Sequence, residues 1–308
     1  MNEGCVYRER VREADAGAEV LAYHAERFRH SSLEDWRRAL EAGRVRVNGR
    51  CAASGQVLCA GDRLEYHRPP WVEPAAPLHF RVVYEDEDLL AVDKPSGLQV
   101  LPAGPFHAHT LLALVQGSAA GRARSAPVHR LGRGSSGLVL FGKDSAARAA
   151  LSAQFRGHAA RKTYLALASG TALADSWVAR QPIGRRAHGP LQLACADPLG
   201  QPACTRLRVL ARDPARRCSL VAAQPITGRP NQIRIHLAAC GAPLVGDPLF
   251  GPHGLPIRDA CPAEGGYFLH AAALGVQHPA TGRWLKLRSR PPWLSGSGEP
   301  SIERLLGE

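Results

Sequence analysis

The sequence predicts an α+β protein: a large domain built on a long mixed or antiparallel sheet, preceded by a small α/β domain. Three observations predict this. Short apolar or alternating runs of strand length, punctuated by Gly, Pro and Asp, recur from Phe80 to Leu287. Helical spacing is confined to a few short stretches, so strands dominate the second part of the chain. Between the two parts, Arg68 to Pro77 carries four prolines in ten residues, the composition of a stiff, extended connector. The expected organisation is a leader over 1–15, a small domain over 16–68, a linker over 69–78, a main domain over 79–295 and a tail over 296–308.

The elements follow in order. Residues 1–15 are charged and lack periodicity. From Gly17 a helical pattern begins, with Leu21, Ala25 and Phe28 on one face. Ser31-Ser32-Leu33-Glu34-Asp35 reads as a helix start with a hydroxyl cap and acids in its first turn. Trp36 and Leu40 lie four apart on that helix, and Gly43 ends it. Val45-Arg46-Val47, the turn Asn48-Gly49 and the alternating Leu64 to His67 read as strands.

The main domain opens with the strand Phe80 to Tyr84. An acidic turn at Glu85 to Asp88 leads to a second strand, Leu89 to Val92. This strand enters Asp93-Lys94-Pro95-Ser96-Gly97. A loop from Gly104 leads into a short helix. Val128 to Ser135 is polar and Gly-rich, and it runs into the apolar strand Ser136 to Phe141. A loop held by a buried strand is where functional residues tend to sit. Asp144-Ser145 caps a helix that carries Ala147, Leu151 and Phe155 on one face. Lys162 to Ala168, Trp177 to Ala179, Leu191 to Ala194, Thr205 to Leu210 and Cys218 to Ala223 read as further strands. Pro230 suits the first turn of a helix in which Ile233, Leu237 and Cys240 face inward. Phe268 to Ala271 and Trp284 to Leu287 close the sheet.

Composition narrows the function classes. The chain has 308 residues, 45% hydrophobic and 21% charged, as a soluble globular protein does. No apolar run is long enough to span a bilayer, and the first residues lack a secretory signal. The expectation is a cytoplasmic protein with no membrane partner. Eight cysteines without a C-x-x-C pair suggest free thiols rather than a disulfide framework. His107 and His109 form too weak a pattern for a metal site, and none is expected. The net charge of +12 points to a polyanion partner. Only four lysines occur, Lys94, Lys143, Lys162 and Lys286, and three of them fall inside the segments quoted below. Those positions are expected to want a compact ammonium rather than a guanidinium fork.

Val128-His129-Arg130-Leu131-Gly132-Arg133-Gly134-Ser135-Ser136-Gly137, with its apolar strand and Lys143, resembles the signature of the RluA-type pseudouridine synthases. That pattern is His-Arg-Leu-Asp-x-x-Thr-Ser-Gly followed by a strand and Lys. Asp93-Lys94-Pro95-Ser96-Gly97 and Lys162-Thr163-Tyr164-Leu165-Ala166 are similar to further family segments. Thr227-Gly228-Arg229-Pro230-Asn231-Gln232-Ile233-Arg234-Ile235-His236 is similar to the third motif, and Gly246-Asp247-Pro248-Leu249-Phe250-Gly251 to its tail. The small domain resembles the RNA-binding module named after ribosomal small-subunit protein four. In its first helices and strand, Arg27, Arg29, Arg37, Arg38, Arg44 and Arg46 would lie along an RNA backbone.

The resemblance implies an RNA uridine isomerase acting on ribosomal or transfer RNA, expected as a monomer. Its reaction breaks the bond from ribose C1′ to uracil N1, turns the base and joins C1′ to C5. It needs no redox change and therefore no cofactor. It does call for a carboxylate near C1′, acting as nucleophile or base, and for a base taken out of its stack. The resemblance assigns Arg130 to the RNA stack, Tyr164 to the extracted base, and Ile233 and Leu237 to the dry side of the pocket. His129, Arg133, Lys94, Lys162 and Arg229 are expected to face RNA. Arg234 would pair with the catalytic carboxylate, whose place is taken here by Gly132. Two readings follow: a synthase with a replacement carboxylate, for which Asp93, Asp144 and Asp247 are candidates, or with a variant mechanism; or a non-catalytic RNA-binding relative. A carboxylate within hydrogen-bonding range of Arg234 would favour the first. With no acid nearby, a buried Arg234 would stand as an unpaired charge beside an anion.

Overall fold

The computed structural model describes residues 1–29, 31–188, 191–258, 266–294 and 303. The chain divides into two compact units, Met1–Glu73 and Pro74–Glu308. The division falls inside the proline-rich segment Arg68 to Pro77. All but Glu303 of the tail expected over 296–308 lies outside the described residues.

The first unit contains β1 (Cys5–Arg10), α1 (Val20–Arg27), α2 (Leu33–Glu41), β2 (Val45–Val47), β3 (Arg50–Cys51) and β4 (Arg63–Arg68). Its sheet runs β1-β4-β2-β3. The two helices bury Val20, Tyr23, Trp36 and Leu40 with Val45, Val47, Leu58 and Leu64 of the strand layer. Helix α2 starts where expected. The Ser32 hydroxyl accepts from the Asp35 amide while the Asp35 carboxylate accepts from the Ser32 amide. Each partner satisfies an amide that the first turn leaves unbonded.

Two boundaries differ from the expectation. Residues 5–10 are no leader: β1 pairs with β4 along its whole length, from Cys5 opposite Arg68 to Arg10 opposite Arg63. Its charged composition suits an edge strand, whose outward side chains stay in water. The first half of the linker also belongs to this unit. The Asn2 and Trp71 backbones are hydrogen-bonded, Asn2 Nδ2 donates to the buried Glu73 at 2.7 Å, and the Arg68 guanidinium lies 3.6 Å from the centre of the Trp71 ring.

The second unit contains β5 (Arg81–Glu85), β6 (Leu89–Lys94), α3 (Leu111–Ser118), β7 (Ala126–Pro127), β8 (Ser136–Gly142), α4 (Ser145–Arg156) and β9 (Arg161–Ser169). After these come β10 (Ser176–Ala179), β11 (Ile183–His188), β12 (Leu191–Ala196), β13 (Thr205–Asp213), β14 (Cys218–Pro225), α5 (Gln232–Ala239), β15 (Leu269–Gln277) and β16 (Trp284–Arg288). Among the described residues, ten strands form one mixed sheet along the path β10-β13-β14-β9-β15-β8-β6-β5, with β16 on β15 and β7 on β8. Strands β11 and β12 make a separate hairpin.

The centre of this sheet positions everything that follows. All seven residues of β8 are buried, which explains its unbroken apolar run. Strands β8 and β15 pair in parallel, His270 opposite Ser136 and Ala271 opposite Gly137. Gly137 has φ +107°, and a Cβ there would lie 2.4 Å from the Ala271 carbonyl oxygen, so only glycine fits this approach. One core lies under β6, β8 and α4; a second lies under β9, β14 and α5. Helix α5 is buried on all sides and begins at Gln232. Pro230 and the left-handed Asn231 therefore precede the helix instead of forming its first turn.

Candidate active site

Three motif segments converge on one cleft of about 640 Å³, a size suited to a small-molecule or nucleotide moiety. The loop before β8 contributes Val128 to Gly132 and Ser135; α4 and the turn after it contribute Ser152, Phe155, Arg156 and His158. Strand β9 adds Lys162 and Tyr164, and the segment Pro225 to Arg234 forms the opposite wall. None of the described lining residues is Asp or Glu.

The walls are held by buried polar bonds. The Lys94 ammonium, fully buried, donates to the carbonyls of Pro95 (2.8 Å), Leu98 (2.7 Å) and Arg133 (3.2 Å). Burial pushes its pKa down to about 7. Lys94 is thus a cross-brace tying the β6 turn to the signature loop. The expectation that it faces RNA is corrected, because its three donors are spent inside. Lys143 likewise pairs with Glu85 at 2.8 Å. In the opposite wall, Gln232 accepts from the Thr227 hydroxyl (2.7 Å) and the Arg229 amide (3.0 Å). Its own amide donates to the Cys204 carbonyl and the Thr205 hydroxyl, both at 2.9 Å. The Thr-Gly-Arg turn is therefore fixed by the glutamine that follows it.

His129 lies against the cleft but turns inward. Its Nε2 accepts from the Leu140 amide at 3.0 Å, and its ring stacks on Phe155 at 4.5 Å. Desolvation holds its pKa down to about 3, so it is neutral; it pins the loop to β8 rather than contacting RNA phosphates. Arg130 is exposed and lines the cleft. Arg133 falls outside the lining; its guanidinium lies 5.3 Å from the Phe106 ring centre. Tyr164 is half-buried, packs on both cores and still lines the cleft, and burial raises its pKa to about 12. Lys162 lines the cleft with its pKa lowered by desolvation. Arg229 also lines it, with Nε donating to the Pro202 carbonyl at 3.1 Å. Ile233 is both lining and core, whereas Leu237, fully buried one turn further along α5, belongs to the core alone. The 3.6-residue repeat puts Leu237 on the same face but deeper.

The floor departs from the expectation in its charge balance. Arg234 is not unpaired. Its Nε donates to Asp247 Oδ2 (2.8 Å) and its Nη2 to Asp247 Oδ1 (2.7 Å), a bidentate pair with side chains only 7% and 1% exposed. Asp247 also accepts from the Leu249 and Phe250 amides, at 2.9 and 3.1 Å. It meets the distance criterion set by Arg234, yet it does not line the cleft and its lone pairs are occupied. It braces the arginine. The Arg234 guanidinium in turn lies over the Tyr267 ring, 4.1 Å from its centre. A Cβ built on Gly132 would lie 3.1 Å from the Tyr267 hydroxyl and 3.7 Å from the Ser135 hydroxyl. The space beside Gly132 is filled by a phenol.

Sequence reasoning missed Arg156, His158 and Tyr267. The first two sit at the end of α4, where basic residues are common for reasons of helix electrostatics alone. Tyr267 lies just before β15, outside every motif quoted above. Among the described residues, Asp86, Asp88 and His278 could together hold a cation. Asp86 there already accepts from Tyr84 (2.6 Å) and from His278 (2.8 Å).

Comparison with known proteins identifies the family. Residues 88–239 match the family model of RNA pseudouridylate synthases. The chain is 42% identical over 276 residues to an RNA pseudouridine synthase of Synechocystis sp., covering 89% of this chain and 94% of that one. It is 36% identical to RNA pseudouridine synthase 5 of Oryza sativa subsp. japonica, covering 99% and 92%. It is 31% identical to ribosomal large subunit pseudouridine synthase D of Neisseria meningitidis, covering 89% and 75%. The solved structure of human RNA pseudouridylate synthase domain containing 1 shares the fold, with TM-score 0.56 and 23% identity over 72% of this chain and 88% of that one. The protein belongs to the RNA pseudouridine synthase family. Within it, the chain falls among relatives of the RluA type, which include the large-subunit synthases C and D.

Proposed function

We propose that the protein isomerises uridine to pseudouridine in structured RNA, ribosomal or transfer, at the cleft between the signature loop and α5. The observation that carries this reading is a nucleotide-sized cleft lined by Arg130, Arg156, Lys162, Arg229 and Arg234 with no acid among its described lining residues. Phosphates are drawn to such a wall, while Tyr164 and Ile233 offer an apolar face to an everted base. Family membership supplies the reaction. No cofactor is called for, since the reaction is an isomerisation with no net redox change and no external group. The first unit adds affinity through Arg44, which is exposed, and Arg46, half-buried with its Nε lacking a hydrogen-bond partner among the described residues. The working form is a cytoplasmic monomer.

The test is carbodiimide mapping of pseudouridine in total RNA from cells with and without the gene. A site that disappears on deletion, and returns when purified protein is added to the deleted cells' RNA, supports the reading. Unchanged maps, with RNA still bound by the protein, would establish a non-catalytic RNA-binding role instead.

A further inference from the structure

We propose that the Tyr267 hydroxyl is the nucleophile that attacks ribose C1′, standing where the side chain of residue 132 would otherwise reach. This rests on the isomerase reading above and names the group that performs its first step.

The reaction requires an oxygen nucleophile or base at the cleft floor, and the described lining offers no carboxylate. Tyr267, 5% exposed, lies directly behind that lining, against Gly132, Ser135 and Arg234. Asp247 is 1% exposed and holds Arg234 and two backbone amides, so moving it to the sugar would abandon four hydrogen bonds and strand a buried cation. The hydroxyls nearest the empty position are those of Tyr267 and Ser135, 3.4 Å apart. Two features single out the phenol. Its Oη lies 3.1 Å from where a Cβ on Gly132 would be, closer than Ser135 at 3.7 Å. Its ring carries the Arg234 guanidinium on one face, 4.1 Å from the centre, so negative charge developing on the oxygen during attack faces a fixed cation. That cation cannot swing away, because Asp247 grips it at two points. A phenolic oxygen is an established nucleophile at an anomeric carbon in some glycoside hydrolases.

The step balances within the site. Oη forms a bond to C1′ as the C1′–N1 bond breaks, and the phenolic proton passes to N1 of the departing uracil. The base turns about its own plane. C5 then bonds to C1′ as the Oη–C1′ bond breaks, and the C5 proton returns to the phenolate. The net change is one proton moved from C5 to N1, the change that converts uridine to pseudouridine. No oxidant, reductant or second substrate takes part.

The test uses the full chain and total RNA from cells lacking the gene, read by carbodiimide mapping. RNA binding and thermal unfolding are measured alongside. Tyr267→Phe keeps the ring beneath Arg234 and removes only the oxygen. The expected result is a loss of at least a hundredfold in the rate of pseudouridine formation, with RNA affinity within twofold of wild type and an unchanged unfolding midpoint. The double variant Gly132→Asp with Tyr267→Phe gives the new carboxylate the space that the hydroxyl vacates, and it should recover activity that Tyr267→Phe lacks. Rescue by a second nucleophile is something a purely structural tyrosine would not show. Wild-type activity retained in Tyr267→Phe to within threefold would overturn the assignment while leaving the isomerase reading intact. A wild-type protein that forms no pseudouridine would overturn both.

Discussion

Three helix arginines of the small unit and the basic residues of the cleft have opposite company. In the small unit, Arg27 pairs with Glu9 at 3.1 Å, and Arg37 and Arg38 share Glu34 at 2.6 and 3.3 Å. In the cleft, Arg130, Arg156, Lys162 and Arg229 make no ion pair among the described residues. A net charge of +12 is therefore a poor guide to where RNA binds. Attraction for a polyanion concentrates where acids are kept out, and exposed pairs such as Arg37–Glu34 are nearly neutral to a distant phosphate.

Arg234 is the exception within the cleft, since its acid lies beneath it. Arg234→Ala should have the largest effect of any single cleft change. It leaves Asp247 buried without a counter-charge, a loss of about 3–5 kcal/mol by analogy with broken buried pairs. Chemical denaturation would read it, and an effect below about 1 kcal/mol would show that Asp247 does not need the arginine as its counter-charge.

A second test separates fold from charge. His270 is fully buried, donates from Nε2 to the Ser289 carbonyl at 3.1 Å, accepts at Nδ1 from the Ser136 hydroxyl at 2.8 Å, and has its pKa pushed down by burial to about 4. Its folded pKa is below the ordinary 6.5, so the unfolded chain binds the extra proton first. Stability is complete above pH about 6.5 and falls as the pH drops toward 4, by about 3 kcal/mol for this group. His129, at about 3, acts in the same direction, and it stays neutral over the pH range where RNA is bound. Acidification from pH 7 to 5.5 should thus lower the unfolding midpoint. A midpoint that rises instead would mean that these rings are charged in the fold.

Smaller effects sharpen the contrast between units directly. Arg156→Ala should weaken RNA binding by about fivefold and flatten the slope of log affinity against log salt by about one, the signature of one lost phosphate contact. Arg37→Ala should change affinity by less than about twofold and leave that slope alone, since Glu34 already screens it. Equal effects at the two positions, measured by filter binding across a salt series, would erase the distinction.

The sequence made the scaffold and one wall of the cleft readable. The apolar run of β8, the Asp144 cap of α4 and the Thr-Gly-Arg turn all follow from local patterns, because each is built from residues close together in the chain. The β1 strand was hidden, since Cys5 to Arg10 is stabilised by pairing with β4 nearly sixty residues away and carries no apolar stripe of its own. The inward turns of Lys94 and His129 were equally invisible: residue type announces a polar head, while only packing shows where it points. Tyr267 was missed for the same reason. Its meaning depends on the absence of a side chain at Gly132, which no local window contains.

The approach of Gly137 to Ala271 gives the molecule a single seam. Because β8 and β15 run side by side in the same direction there, the segments leading into both strands emerge at one end of the sheet. Loop residue 132 and tyrosine 267 are neighbours by virtue of that shared starting line. A methyl group added at the seam would pry the two openings apart and misalign the chemistry without altering any atom that an RNA could touch.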